Sequence, residues 1–201
     1  MLFDNLVKDY EEWFEKHPEI YKEEIKTIKA LLPKGKGLEV GVGTGRFAAP
    51  LGIKKGIEPS KKMAEVARAR GIEVIEMSAE EMDFEEEFDF ILMVTTICFV
   101  DDPLKTIQNC YKALKNGGYL LVAFVDLASP LGKFYEKNKE KSKFYKYAKF
   151  FTKDDIIDLM KKAGFKEFEC VENLYGDSLD NLKFEIKNCN GGAFKVIRGR
   201  K

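Results

Sequence analysis

The chain has 201 residues, with 34 basic and 34 acidic side chains and a formal net charge of zero. That length favours one domain burying roughly 70% of its unfolded surface, and 45% hydrophobic against 34% charged residues exclude a disordered chain. Balanced charge argues against a general nucleic-acid binder, whose phosphate contacts need a basic surplus, and the longest apolar stretch, Phe90 to Val100, is about half the roughly 20 residues a spanning helix needs.

In chain order, Leu6, Tyr10, Trp13 and Phe14 recur at helical spacing until Pro18 stops the first helix. A second helix fits Glu19 to Leu32, with Ile20, Ile25, Ile28, Leu31 and Leu32 as its apolar stripe and Pro33-Lys34-Gly35 as its end. Strands then alternate with helices. Gly37 to Val42 is a strand running into a glycine turn, Arg46 to Leu51 a short helix, Lys55 to Glu58 a second strand, and Ser60 to Ala69 a helix with Ser60 as N-cap. Ile72 to Met77 is a third strand. Phe88 to Val94 is a fourth, apolar on both faces as a central parallel strand should be. Pro103 to Leu114 is a helix ended by Asn116-Gly117-Gly118, and Tyr119 to Val125 is a fifth strand. Thr152 to Ala163 is a helix between a Thr152 cap and a Gly164 stop, and Phe165 to Val171 and Ala193 to Arg198 complete the strands. The alternation predicts a doubly wound, Rossmann-like α/β sheet of seven mostly parallel strands with helices on both faces. Ligands in such sheets bind beyond the carboxyl ends of the strands.

At the first of those ends stands Gly41-Val42-Gly43-Thr44-Gly45, preceded by Glu39. The dinucleotide fingerprint G-x-G-x-x-G needs glycine at position 46, where Arg46 stands, which counts against a nucleotide-dependent oxidoreductase on a similar sheet. The second strand ends in Glu58-Pro59-Ser60, an acid placed to accept hydrogen bonds from ribose hydroxyls. Ser78-Ala79-Glu80 follow the third strand, and Thr95-Thr96-Ile97-Cys98-Phe99 the fourth. Tyr-x-x-x-Lys, the catalytic pair of short-chain dehydrogenases, occurs three times, which in so lysine-rich a chain indicates chance.

GLEVGVGTGRFA, GIEPSKKMAEVAR, SAEEMDF, FDFIL, DDPLKTIQNCYKALKNGGYLLV and FFTKDDIIDLMKKAGF occur in that order. Together they resemble class I S-adenosylmethionine-dependent methyltransferases of the type-11 branch, which includes quinone-biosynthesis and small-molecule enzymes. The resemblance covers roughly residues 35 to 168. It implies an N-terminal helical cap (1–33), a cofactor-binding core (34–125), a lid insertion (126–151) and a C-terminal helix with strands (152–201), all in one domain. It also implies that Gly41, Val42, Gly43, Thr44 and Gly45 pass beneath the methionine portion of S-adenosylmethionine. Glu39 would sit near its amino group, Glu58 would bind the ribose with Pro59 and Ser60 shaping the turn, and Met63 would pack on the adenine. Ser78, Ala79 and Glu80 would bound the adenine edge, and Thr95, Thr96 and Ile97 the methionine end. Many members carry Asp at the positions of Glu39 and Ser78, and Pro at that of Asp83.

A sulfonium methyl is already activated, so the implied in-line displacement depends mainly on proximity and orientation. A general base is optional and no metal is implied. His17, the only histidine, and Tyr10 are the candidate bases. Trp13, Phe14, Phe99, Phe134, Tyr135 and Tyr145 are candidates for a substrate lid, whose lysines either attract an anionic acceptor or are solvated on an amphipathic helix pair. The expected partner is a small-molecule methyl acceptor at O, N, S or C; a non-catalytic S-adenosylmethionine-binding protein is the other reading. The charged N-terminus has no signal core, and Cys98, Cys110, Cys170 and Cys189 form no C-x-x-C pair. The expectation is a cytoplasmic protein with reduced thiols.

Overall fold

The computed structural model describes residues 2–201. Eight strands form one sheet: β1 (Gly37–Val40), β2 (Lys55–Ile57), β3 (Glu73–Ile75), β4 (Phe88–Val94), β5 (Leu114–Val125), β6 (Lys166–Asn173), β7 (Lys187–Asn188) and β8 (Phe194–Arg200). Their order is β3-β2-β1-β4-β5-β8-β6-β7. The first five are mutually parallel; β8, β6 and β7 add antiparallel pairings at one side. The helices are α1 (Val7–Lys16), α2 (Pro18–Lys29), α3 (Ala48–Leu51), α4 (Lys61–Ala69), α5 (Pro103–Ala113), α6 (Pro130–Asn138) and α7 (Lys153–Ala163). None of the described helices is long and apolar enough to cross a membrane.

Side-chain alternation on the central strands divides the core. Phe90, Leu92 and Val94 of β4 with Leu121 and Ala123 of β5 pack against Phe14, Ile20, Ile28 and Phe47 on one face. Ile91 and Met93 with Leu120, Val122 and Phe124 pack against Ile107, Ile156 and Met160 on the other. Local chemistry sets the boundaries. Pro18 opens α2, where its missing N–H removes no helical bond. Ser60 Oγ accepts from Met63 N to cap α4, and Thr152 and Asp155 form a reciprocal capping box on α7. Gly164 ends α7 in the left-handed conformation.

Four expectations are corrected. The sheet has an eighth strand, the two-residue β7 on its edge. Asn116-Gly117-Gly118 does not terminate α5: the helix stops at Ala113 and β5 runs through the glycines, where Gly117 N donates to Lys201 O and Lys201 N to Gly118 O. Residues 126–151 hold one helix, α6, and two short 3₁₀ turns (Lys139–Lys141 and Tyr145–Tyr147), not a helix pair. Cys170 and Cys189 are joined in a disulfide, tying β6 to the loop after β7, while Cys98 and Cys110 are free and buried.

Candidate functional site

The turn after β1 is folded over the end of β2, with the N–H groups of Gly41 and Val42 both donating to Ile57 O at 2.9 Å. Gly41 has φ +71°, and a Cβ there would lie 2.4 Å from Thr96 Cγ2, so the ends of β1 and β4 can close together only around glycine. Gly43 has φ +55°, and its missing side chain would point towards the Tyr10 hydroxyl, 3.6 Å from an ideal Cβ. Gly45 abuts the backbone of Ala67 in α4.

Glu58 follows β2 and is 6% exposed. Its Oε2 accepts the Gly43 N–H at 2.9 Å and its Oε1 the Ser60 N–H at 2.8 Å. Burial raises its pKa against the pull of those two donors. A carboxylate oxygen has more than one lone pair, so both can still accept from a ligand. Glu39, at 1% exposure, has a buried Oε2 with no partner among the described residues. Burial holds its pKa well above the usual carboxylate range despite the Ala48 N–H.

These groups border a cavity of about 410 Å³ at the carboxyl ends of β1, β2, β3 and β4. Gly41, Gly43, Glu58, Pro59 and Met63 form one side, Met77, Ser78, Ala79 and Glu80 another, and Val94, Thr95, Thr96, Phe99, Val100 and Asp101 a third. Phe3, Tyr10 and Tyr147 also line it. Its charged lining among the described residues is entirely acidic: Glu58, Glu80 and Asp101. Glu80 is held by the N–H groups of Asp101 and Asp102, at 2.8 and 3.2 Å. Thr95 takes φ +52°, uncommon for a β-branched residue, at the point where β4 ends in the cavity.

The N-terminal segment covers this site. Phe3 meets Phe99 edge-on at 5.0 Å between ring centroids, and Asp4 accepts from Ser60 Oγ at 2.7 Å. Glu11 of α1 pairs with Arg46 and Arg70, and Arg70 also donates to Thr44 O, so α1 is tied to the glycine turn.

Of the residues singled out from the sequence, Gly41, Gly43, Glu58, Pro59, Met63, Ser78, Ala79, Glu80, Thr95, Thr96, Phe99 and Tyr10 line the cavity. Glu39, Val42, Thr44, Gly45 and Ser60 lie in the framework around it. Ile97 and Tyr145 line a narrow crevice beyond Thr95. The remaining five, His17, Trp13, Phe14, Phe134 and Tyr135, lie elsewhere. His17 sits against Trp13 at the junction of α1 and α2, with ring centroids 4.9 Å apart. Phe14 is buried against Tyr21 and Phe47. Phe134 is 47% exposed, and Tyr135 stacks on Tyr145. No lysine of the 126–151 segment lines the cavity; those at 133, 137, 141, 143, 146 and 149 are exposed. Among the other lining residues, Phe3 was not singled out from the sequence, whereas Asp101 closes the strand-end stretch from Thr95 and Tyr147 is one of the aromatics of the 126–151 segment.

Comparison with known proteins agrees with this geometry. A family model described as a methyltransferase domain matches residues 38–122. An uncharacterized protein of Methanocaldococcus jannaschii is 42% identical over 100% of this chain and 98% of its own. The crystal structure of a SAM-dependent methyltransferase of Thermotoga maritima, described as a possible histamine N-methyltransferase, is 52% identical. It superposes with a TM-score of 0.96, covering 100% of this chain and 98% of that one. A phosphoethanolamine N-methyltransferase of Haemonchus contortus, solved with phosphomonomethylethanolamine and S-adenosylhomocysteine, is 25% identical with a TM-score of 0.60. That match covers 76% of this chain and 38% of the Haemonchus protein. On this evidence the chain belongs to the S-adenosylmethionine-dependent methyltransferases.

Proposed function

We propose that this methyltransferase transfers its methyl group to a small-molecule acceptor held over the carboxyl ends of β4 and β5. Supporting this are the aromatic side chains of Phe3, Tyr10, Phe99 and Tyr147 along the cavity and a volume within the range of small-ligand sites. Two similar structures, one described as a possible histamine N-methyltransferase and one as a phosphoethanolamine N-methyltransferase, favour nitrogen as the atom methylated.

The residues present fit the cofactor. Glu58 is fixed by two backbone N–H groups with lone pairs to spare for ribose hydroxyls, and Glu39 carries a buried, unpartnered oxygen on the strand that leads into the glycine turn. Gly43 leaves open the space beneath the Tyr10 hydroxyl. Ser78, Ala79 and Glu80 with Met63 bound the adenine end in this reading, and Thr95 and Thr96 the methionine end. Bound S-adenosylmethionine supplies a sulfonium methyl, an electrophile that needs no further activation. The protein's part is then to align the acceptor and exclude water, which can supply roughly 7–11 kcal/mol at best. Phe3 and Phe99 meet edge-on at the cavity wall, and the backbone of Thr95, held by its N–H to Ala123 O at 2.8 Å, borders the acceptor side in this reading. Tyr10 is the one phenol placed over the glycine turn, and burial, then neighbouring carboxylates, raise its pKa. It therefore acts as a neutral hydrogen-bonding group at neutral pH.

The test is formation of S-adenosylhomocysteine from S-adenosylmethionine with libraries of small amines, phenols, thiols and acids, run beside total RNA and denatured protein. Turnover with a small molecule is expected. Turnover confined to RNA or protein would reject the reading.

A further inference from the structure

Beyond β6 the sheet ends in β7 and the residues that lead into it. Lys183 exchanges both backbone hydrogen bonds with Tyr175, at 2.8 and 2.9 Å, and Glu185 N donates to Asn173 Oδ1 at 2.7 Å. Successive residues of an extended chain turn their backbone groups to opposite sides. Lys183 and Glu185 therefore face the sheet, and Phe184 and Ile186 face away from it. The N–H and C=O groups of those two have no hydrogen-bond partner among the described residues. A sheet edge with free backbone groups is a template for a further strand.

The side chains alternate as well. Phe184 and Ile186, 41% and 40% exposed, share one face with the half-buried Leu182. Lys183, Glu185 and Lys187 share the other, where Glu185 and Lys187 pair at 2.6 Å. The edge is held at both ends, by the Tyr175–Lys183 bridge and by the Cys170–Cys189 disulfide. Little conformational freedom is left to lose when a strand is added.

The segment is complementary to itself. In an antiparallel pair of copies centred on Phe184, Phe184 meets Phe184, Leu182 meets Ile186, and Lys183 meets Glu185 twice by symmetry. Centring the pair on Glu185 would set Lys183 against Lys187 and Glu185 against itself. Centring it on Ile186 would leave Phe184 opposite Asn188. Charge and apolar contact thus select the first register.

We propose that this edge pairs with the same edge of a second copy of the chain, joining the two sheets across a two-fold axis at Phe184. The edge lies at the end of the sheet opposite β3, and none of its residues lines the main cavity. A ribbon of residues 182–186 from each copy is small beside the roughly 1,200–2,000 Å² of a stable interface. The dimer is therefore reversible, with a dissociation constant of about 10–100 μM.

Sedimentation equilibrium of the full chain, from about 5 to 500 μM, reads the association. Wild type should pass from monomer to dimer over that range. Lys183→Glu and Glu185→Lys, both at exposed positions, should each weaken self-association at least about 10-fold, because each sets like charges together twice. An equimolar mixture of the two variants should recover association, since each reversed charge then meets its opposite. Phe184→Pro removes an N–H that has no partner within the chain. It should abolish pairing while the unfolding temperature stays within about 3 °C of wild type. A wild type that stays monomeric throughout would overturn the proposal and leave the edge to an extended segment of another protein. Dimers of unchanged affinity in Phe184→Pro or in both charge variants would overturn it too, as would a mixture that associates no more strongly than its components.

Discussion

The two halves of the cavity are built by different means. The half assigned to the cofactor is made of backbone: the turn at Gly41 to Gly45, the N–H groups of Gly43 and Ser60 on Glu58, and the register of β1 against β2 and β4. The half assigned to the acceptor is made of side chains from segments remote in sequence: Phe3, Tyr10, Phe99 and Tyr147. Rings in edge contact hold that second half, together with one exposed ion pair from Lys143 to Asp9 at 2.7 Å. Backbone geometry fixes a ligand shared across a family, whereas side-chain walls can change without disturbing the sheet. The same scaffold can therefore keep one methyl donor and serve many acceptors.

The largest expected effect strikes the backbone half. Gly43→Val places a β-branched residue at φ +55° and fills the space below Tyr10. Calorimetric titration should show S-adenosylmethionine affinity reduced by about 100-fold or more. Retained affinity in a folded variant would remove the glycine turn from the cofactor floor.

The next effect concerns Glu24 on the buried face of α2 and has the opposite sign. Burial raises the Glu24 pKa from 4.5 to about 8 in the folded state, so between those values the native protein binds more protons than the unfolded chain. Stability contributed by this group is unpenalised below the unfolded pKa and declines as pH rises towards 8. Glu24→Gln should leave stability at pH 4 little changed and raise it by about 1–4 kcal/mol at pH 8, where ionising the buried acid is most costly. Denaturant unfolding at the two pH values reads this directly. A wild type and variant with parallel pH profiles would show that Glu24 is solvated in solution.

The contrast also explains what the sequence could reveal. β4 was legible to the residue because FDFILMV is apolar on both faces, and the caps at Ser60, Thr152 and Gly164 are local chemistry. The start of β5 was not legible: Asn116-Gly117-Gly118 reads as a helix stop, and only its pairing with Lys201 at the far end of the chain makes it strand. The Cys170–Cys189 bridge likewise depends on an antiparallel edge that brings together residues 19 apart. In the site, the residues lying on strand ends could be read from spacing. Glu24 could have been noticed as an acid four residues from both Ile20 and Ile28, yet sequence cannot distinguish a solvated carboxylate from a buried one. Phe3 and Tyr147 carry no local signal for the positions they take.

Returning to the backbone half, Glu58→Ala removes the carboxylate that accepts from the Gly43 and Ser60 N–H groups, together with the proposed ribose contacts. S-adenosylmethionine should bind more weakly by about 1–3 kcal/mol, the range for hydrogen bonds to a charged group. An affinity equal to wild type would sink the ribose assignment while leaving the fold untouched.

The smallest effect is expected where the charge is most conspicuous. Lys133, Lys137 and Lys141 stand on the outer surface of the lid, exposed, and none lines the cavity. If lysines drew in an anionic acceptor, replacing all three by Gln would slow turnover and flatten its loss with salt. If they do not, the same change removes only solvated charge, and exposed charges contribute about 0–1 kcal/mol. Stability should therefore stay within about 0.5 kcal/mol of wild type, and kcat/KM should hold level. The salt dependence carries the sharper distinction, because screening weakens attraction and repulsion with opposite consequences for rate. A wild-type rate that falls with added salt, in a manner lost from the triple variant, would return the lysines to the recognition of substrate.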